Sequence, residues 1–286
     1  MIQKWVFYNP WLEWFVWQKY YTPDPRTPEV PISERAQHHL RELRDSGVTL
    51  LHGFESIAEH MERTYFSVID GRAKPTDQFM EKVRFGDRDD VTNTENYRIS
   101  FKDSALAPLL LNPDICGILY NYYQRQQLYR EQPWVIRNAL SAELPFDEFS
   151  RLEVSAKFHT DCYRQITIMF LVNELTEADT HLEYAVGSHK FRNTWKRYTY
   201  KDETVTEQFP IRHCIGPKGT LILMDAGSGF HRGTHKKGSV RKTVQCVVTA
   251  GHYFPSPDQK MTVTDWPAFS SYPGHVRRMF DDLRLD

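Results

Sequence analysis

Cysteine is scarce and scattered in this chain. Cys116, Cys162, Cys214 and Cys246 are all there are in 286 residues, and no two form a C-x-x-C pair. That argues against a structural zinc knot and against a secreted scaffold held by disulfides, so a reduced, cytoplasmic protein is the default expectation. Long apolar runs are also missing, since none approaches the roughly 18 uninterrupted apolar residues of a membrane-spanning helix. Near the start, Asn9, Pro10 and Glu13 interrupt the apolar residues and no small-residue cleavage site follows, unlike a signal peptide. No single sign of charge dominates: 36 basic and 37 acidic residues leave a formal charge of -1. No global field therefore draws the chain to nucleic acid or to an acidic surface. No Gly/Ser-rich or Pro-rich break, repeat or low-complexity tract divides the chain internally, and residues 1–286 read as one domain.

What is present changes character along the chain. Nine aromatic residues from Trp5 to Tyr21 crowd an N-terminal extension, residues 1–31. Within it Asn9-Pro10 reads as the cap and first position of a short helix to about Tyr21, followed by the extended connector TPDPRTPEVP. ISERAQHHLRELRDSG has the pattern of an amphipathic helix capped by Ser33 and closed by Gly47, just before an apolar VTLLHGF strand. SIAEHMERTYFSVIDG and DICGILYNYYQRQQLY read as further helices. Residues 72–105 are polar with little periodicity and read as loop-rich. From about Val154 strand signals take over in VSAKFHTD, QITIMFLVNEL, GTLILMD and KTVQCVVTAGHYF. Helices first and strands afterwards predict a mainly β fold, a jelly roll buttressed by N-terminal helices, with its core at about 150–255.

The chemistry concentrates in three residues and a fourth. On a strand, residues two apart share a face, so His159 and Asp161 in KFHTDC would converge on one ion. His231 follows GTLILMDAGSGF, a strand feeding a Gly-rich bend, and Arg241 opens the next strand. Two imidazoles and one carboxylate are the facial set that holds non-haem Fe(II) and leaves positions open for a co-substrate and O2. An arginine nearby would supply a fixed cationic fork for the far carboxylate of a 2-oxo acid. The triplet alone is weak in a chain with 12 histidines. His60-x-Glu62 is excluded because i and i+2 diverge on a helix, whereas His181-x-Glu183, in a loop-like segment, still competes. The ordered set of strand triplet, apolar strand, turn, distal His and strand Arg favours His159-x-Asp161, with polar surface residues on an ordinary sandwich as the alternative.

The segment HTDCYRQITIMFLVNELTEADTHLEYAVGSHK resembles the core of the phytanoyl-CoA dioxygenase-like family of Fe(II)/2-oxoglutarate oxygenases. It has the HxD, the apolar strand, the acidic turn, and a loop ending in Gly187-Ser188-His189-Lys190. SGVTLLHGF resembles that family's early strand and GFHRGTHKKGSVRKTVQCVV its distal His-to-Arg segment, so the resemblance covers about residues 36–255. It implies a cupin-like double-stranded β-helix in which His159, Asp161 and His231 bind iron and Arg241 binds the side-chain carboxylate of 2-oxoglutarate. The GSH motif is implied to be a structural turn. Thr180-His181 and Val186 stand where family members often carry Gly and Pro, which leaves His181 a candidate for substrate contact. Because related halogenases lack the carboxylate that Asp161 provides, the resemblance implies hydroxylation of an unactivated C–H bond with O2, releasing succinate and CO2. Desaturation and ring formation are possible variants of the same chemistry.

Weaker signals complete the reading. Lys157 shares the expected face of His159, and Thr167 has the same parity on the following strand, so both are candidate co-substrate contacts. Lys190, Arg192, Lys196, Arg197, Arg232, Lys236, Lys237 and Lys242 would suit an anionic small-molecule substrate, or simply form a solvated face. The aromatics of residues 1–21 suit peripheral contact with a membrane, or a clasp packed on the sheet or a second subunit. Two rival functions stay open: a cupin-like metal-dependent hydrolase or isomerase, and a non-catalytic jelly roll that binds carbohydrate or lipid.

Overall fold

The computed structural model describes residues 28–72, 80–83, 94–99, 107–124, 128–130, 134–139, 156–161, 165–191, 199–250, 271–274 and 276. The aromatic residues 5–21 and the helix expected from Pro10 lie outside the described residues. Helix α1 (Glu34–Ser46) begins where expected: the Ser33 hydroxyl accepts from the Ala36 N–H at 3.1 Å. It ends at Gly47, whose φ of 83° is the left-handed conformation that closes a helix, with its N–H donating to Leu43 O. Ala36, Leu40 and Leu43, spaced by four and three, form its buried stripe. Helix α2 (Glu55–Met61) runs on through a π turn (Glu62–Phe66) into Ser67–Ile69, burying Ala58, Met61, Tyr65 and Phe66. Helix α3 (Pro113–Tyr123) starts on Asn112, whose Oδ1 accepts from two backbone N–H groups. It stops at Gln124 (φ 50°), short of the expected QQLY. Among the described residues no helix is long and apolar enough to cross a membrane.

Thirteen strands form two antiparallel sheets among the described residues. They are β1 (Val48–Leu51), β2 (Met80–Val83), β3 (Thr94–Ile99), β4 (Leu128–Arg130), β5 (Trp134–Ala139), β6 (Phe158–His159) and β7 (Gln165–Leu171), then β8 (Leu182–Ala185), β9 (Thr199–Tyr200), β10 (Ile211–Cys214), β11 (Leu221–Asp225), β12 (His231–Gly233) and β13 (Val240–Ala250). The larger sheet runs β1-β11-β7-β13-β5-β3-β2, with β4 also on β13; the smaller runs β10-β8-β12-β6-β9. From β5 onward the chain passes back and forth between them, β5, β7, β11 and β13 in one and β6, β8, β10 and β12 in the other. This is the jelly-roll winding of a double-stranded β-helix, as expected.

Strand β7 shows why the sequence of the core strand does not alternate: all seven of its residues are buried. Ile166, Ile168 and Phe170 pack with Leu43, Met61, Phe66 and Leu119 of the helices, while Met169 and Leu171 pack with Leu182, Tyr184 and Cys214 of the smaller sheet. A strand covered on both faces reads as a continuous apolar run. The opposite holds at the sheet's far edge. Residues 72–105, expected to be loop-rich, include β2 and β3; in TENYRI of β3 only Asn96 and Ile99 are buried. An outer strand with so little apolar content has no period to detect.

Candidate metal centre

His159 is the last residue of β6 and His231 the first of β12, and the two are cross-strand partners in the smaller sheet. Their rings lie 4.4 Å apart, centroid to centroid, tilted by 50°. Asp161 has left the strand but is held by its backbone, with its N–H donating to Ala226 O at 2.8 Å. One carboxylate oxygen stands 3.7 Å from His159 Nε2 and the other 3.7 Å from His231 Nε2. Donors bound at roughly 2.1 Å in neighbouring coordination positions lie about 3 Å apart, so a small inward movement would bring all three onto one ion.

The imidazoles are oriented for that role by one device used twice. His159 Nδ1 lies 2.8 Å from Lys157 O and His231 Nδ1 3.1 Å from Gly229 O, each the carbonyl two residues earlier. A carbonyl only accepts, so Nδ1 carries the proton and Nε2 presents its lone pair. Burial, and then the neighbouring His231, hold the His159 pKa down to about 4, which keeps the ring in the neutral form a metal needs. Asp161 is oriented in turn by Gln165, whose Nε2 donates to Oδ2 at 2.5 Å.

The supports of His231 reach further. The Ser188 hydroxyl accepts from the Phe230 N–H at 2.8 Å, and the His189 Nε2–H donates to Arg44 O at 3.0 Å. The GSH segment is thus a brace between α1 and the entry to β12, as its resemblance to a structural turn implied. A Cβ on Gly229 would lie 1.7 Å from the Tyr184 hydroxyl, so the loop that supplies the Gly229 carbonyl is closed down on a buried tyrosine.

Arg241 lies on β13 with its side chain on the inner face, 8% exposed. Its Nε and Nη2 donate to Asn138 Oδ1 at 3.2 and 2.9 Å, and Asn138 Nδ2 donates to Thr94 Oγ1 at 2.6 Å. Thr94, Asn138 and Arg241 are direct cross-strand partners on β3, β5 and β13. The guanidinium charge, added to burial, keeps the His235 pKa down at about 3. Lys157 contributes its backbone carbonyl to His159. Thr167 is buried on the inner face of β7 but pairs with Val247, six residues along β13 from Arg241. At about 3.3 Å per residue that separates them by about 20 Å, so the two cannot hold the same carboxylate group. Sequence reasoning gave no role to Gln165 or Asn138, because an amide acquires one only once folding shows what it faces.

Of the basic residues read as a substrate-facing set, three are committed elsewhere. Lys190 lies 3.5 Å from Asp45, Arg232 pairs with Glu183 and Asp202, and Lys242 pairs with Glu62 and Asp70. Arg192, Lys196 and Arg197 lie outside the described residues. Two groups among the described residues could hold a metal ion: His159, Asp161 and His231, and the competing pair His181 and Glu183 joined by His213.

No family model and no curated protein matches the sequence. Solved structures do match in fold. The hydroxyectoine-bound EctD from S. alaskensis, determined with 2-oxoglutarate, has a TM-score of 0.55 at 15% identity, covering 90% of each chain. The epimerase SnoN in complex with Fe3+, alpha ketoglutarate and nogalamycin RO has a TM-score of 0.52 at 10% identity, covering 82% of this chain and 92% of that one. HygX from Streptomyces hygroscopicus, with nickel and 2-oxoglutarate bound, has a TM-score of 0.51 at 13% identity, covering 80% and 94%. At these identities the likeness is one of architecture: the chain has the jelly-roll fold of those proteins.

Proposed function

We propose that this protein is an Fe(II)- and 2-oxoglutarate-dependent dioxygenase that hydroxylates an unactivated C–H bond of a small-molecule or carrier-linked substrate. The observation that carries the proposal is the convergence of His159 Nε2, His231 Nε2 and the Asp161 carboxylate, each oriented by its own hydrogen bond. Two neutral nitrogens and one carboxylate suit a divalent iron and leave its remaining positions open. The similar folds hold Fe3+ with alpha ketoglutarate in SnoN and nickel with 2-oxoglutarate in HygX, ligands that this donor set suits.

Each residue has a defined task in this reading. His159 and His231 bind through Nε2 while the carbonyls of Lys157 and Gly229 fix their tautomers. Asp161 supplies the negative charge, and Gln165 keeps its carboxylate from rotating away. Arg241, braced by Asn138, neutralises the distal carboxylate of 2-oxoglutarate on the inner face. The buried lining of Met169, Leu171, Ile222 and Met224 excludes water from that face. Iron(II) with 2-oxoglutarate, when bound, supplies O2 activation, oxidative decarboxylation to succinate and CO2, and oxidation of a nearby C–H bond. The protein contributes geometry, charge and aim.

The test is a stoichiometry. Protein reconstituted anaerobically with Fe(II) and 2-oxoglutarate is exposed to O2, and succinate is measured against O2 consumed across a panel of small molecules. The proposal expects a basal succinate yield that a true substrate raises, with a product heavier by one oxygen. Turnover of a substrate without O2 or 2-oxoglutarate would instead favour a hydrolase or isomerase, and no succinate under any condition a binding protein. Oxidised product lacking the added oxygen would keep the class and replace hydroxylation by desaturation or ring closure.

A further inference from the structure

The histidine–glutamate pair that competed in the sequence proves to be half of a second constellation. Glu183 on β8 is flanked directly across the sheet by His213 on β10 and Arg232 on β12. Its neighbour Tyr184 faces inward and pairs with His231, so Glu183, His213 and Arg232 stand on the opposite, outer face of the same strands. His181, two residues before Glu183, joins them just ahead of the strand. We infer that His181, Glu183 and His213 form a second divalent transition-metal site, for zinc or a similar imidazole-favouring ion, on the outer face of the smaller sheet.

The geometry is that of ligands waiting for an ion. His181 Nε2 is 2.9 Å from His213 Nδ1, and His213 Nδ1 is 3.5 Å from Glu183 Oε1. Two donors on one tetrahedral zinc at about 2.0–2.1 Å lie about 3.3 Å apart, so these two gaps need to change by only a few tenths of an ångström, and all three donor atoms already lie within 4.8 Å of one another. His181 Nδ1 lies 2.6 Å from Asp179 O, which fixes the proton there and leaves Nε2 as the lone-pair nitrogen, turned toward His213 as a ligand atom would be toward an ion. The second carboxylate oxygen of Glu183 accepts from Arg232 Nε at 2.6 Å, leaving Oε1 for an ion. The arginine charge opposes a cation, but it is shared: Arg232 Nη1 also donates to Asp202. His181 and Glu183 are buried, whereas the His213 side chain is 39% exposed, so an ion could enter from solvent and keep a water as fourth ligand. In the metal-free state His213 donates its Nδ1 proton to His181, and zinc would displace that proton.

This inference does not depend on the central site being an iron centre, and its test separates the two. Full-length protein carrying His159→Ala and His231→Ala, stripped with a chelator, is titrated with Zn(II) alone, and binding is read by calorimetry and bound-metal analysis. One equivalent of zinc should remain, and its binding should raise the melting temperature. Adding the half-exposed change His213→Ala should weaken zinc binding roughly 100-fold or more, since losing even an outer-shell partner costs 10–100-fold. Glu183→Gln, of nearly the same size, should do likewise. Co(II) in place of zinc should give the intense visible absorption of a low-coordinate ion, absent in His213→Ala. A triad-deleted protein that binds no zinc, or binds it equally with and without His213, overturns the proposal whatever the activity of the central site.

Discussion

At the scale of single residues, Arg241 and its neighbours carry the most specific expectations. A guanidinium bonded along one edge to Asn138 is a rigid fork, and a lysine ammonium in its place would be a mobile point charge. Hydrogen bonds to charged groups contribute about 1.5–3 kcal/mol each, so Arg241→Lys should weaken 2-oxoglutarate binding by roughly 10- to 100-fold. Anaerobic titration should show Fe(II) affinity nearly unchanged; an unaltered 2-oxoglutarate affinity would move the co-substrate elsewhere. His235 gives a second test. Burial and the Arg241 charge lower its pKa to about 3, below the value of about 6.5 in an unfolded chain. Between those values the unfolded state binds the extra proton, so the stabilisation is complete above pH 6.5 and is lost as the pH falls toward 3. That single group contributes a slope of about 1.4 kcal/mol per pH unit inside the window. Denaturant unfolding of metal-free protein between pH 4 and 6 should therefore show a shallower pH dependence in His235→Gln than in the wild type. Equal slopes would mean that His235 titrates normally.

At the scale of elements, the centre depends on a few places where backbone and side chain meet too closely for substitution. Gly47 ends α1 at a φ of 83°, and a Cβ there would lie 2.4 Å from the Tyr184 hydroxyl and 2.6 Å from His189 Nδ1. A non-glycine residue in that conformation costs about 1–3 kcal/mol before any clash is counted. Gly47→Ala should thus lower the thermal midpoint and also weaken Fe(II) binding, because Tyr184 and His189 brace the entry to β12. A stability loss with intact metal affinity would show that the brace does not reach the centre. Both ends of α1 were legible in the sequence because Ser33 and Gly47 have local, chemically specific jobs. The strands β7, β11 and β13 were legible from their apolar runs. Strands β2 and β3 were not, because MEKV is too short to show a period and TENYRI offers mostly polar side chains, so both are defined by their partners in the sheet rather than by a pattern of their own.

At the scale of the whole molecule, the two-sheet winding turns sequence order into proximity. His159 and His231 become cross-strand neighbours, and Arg241 comes onto the inner face of the opposite sheet. The triad could be read in the sequence since HxD, apolar strand, distal His and strand Arg follow one another at spacings such a winding requires. The outer cluster could not be read whole: His181-x-Glu183 was visible, but His213 joins it only through the pairing of β8 with β10. Thr167 lies on the inner face as its parity suggested, two residues from the Gln165 that contacts Asp161, and the register sets it about 20 Å along the strand direction from Arg241. The proposed function requires that His159, Asp161 and His231 hold an iron(II) to which 2-oxoglutarate chelates. Anaerobic addition of 2-oxoglutarate to the Fe(II)-loaded protein tests it most directly, through the weak visible charge-transfer band of the chelate. The band should appear at one equivalent in the wild type and vanish in His231→Ala; no band in the wild type, or the same band without His231, would contradict the assignment.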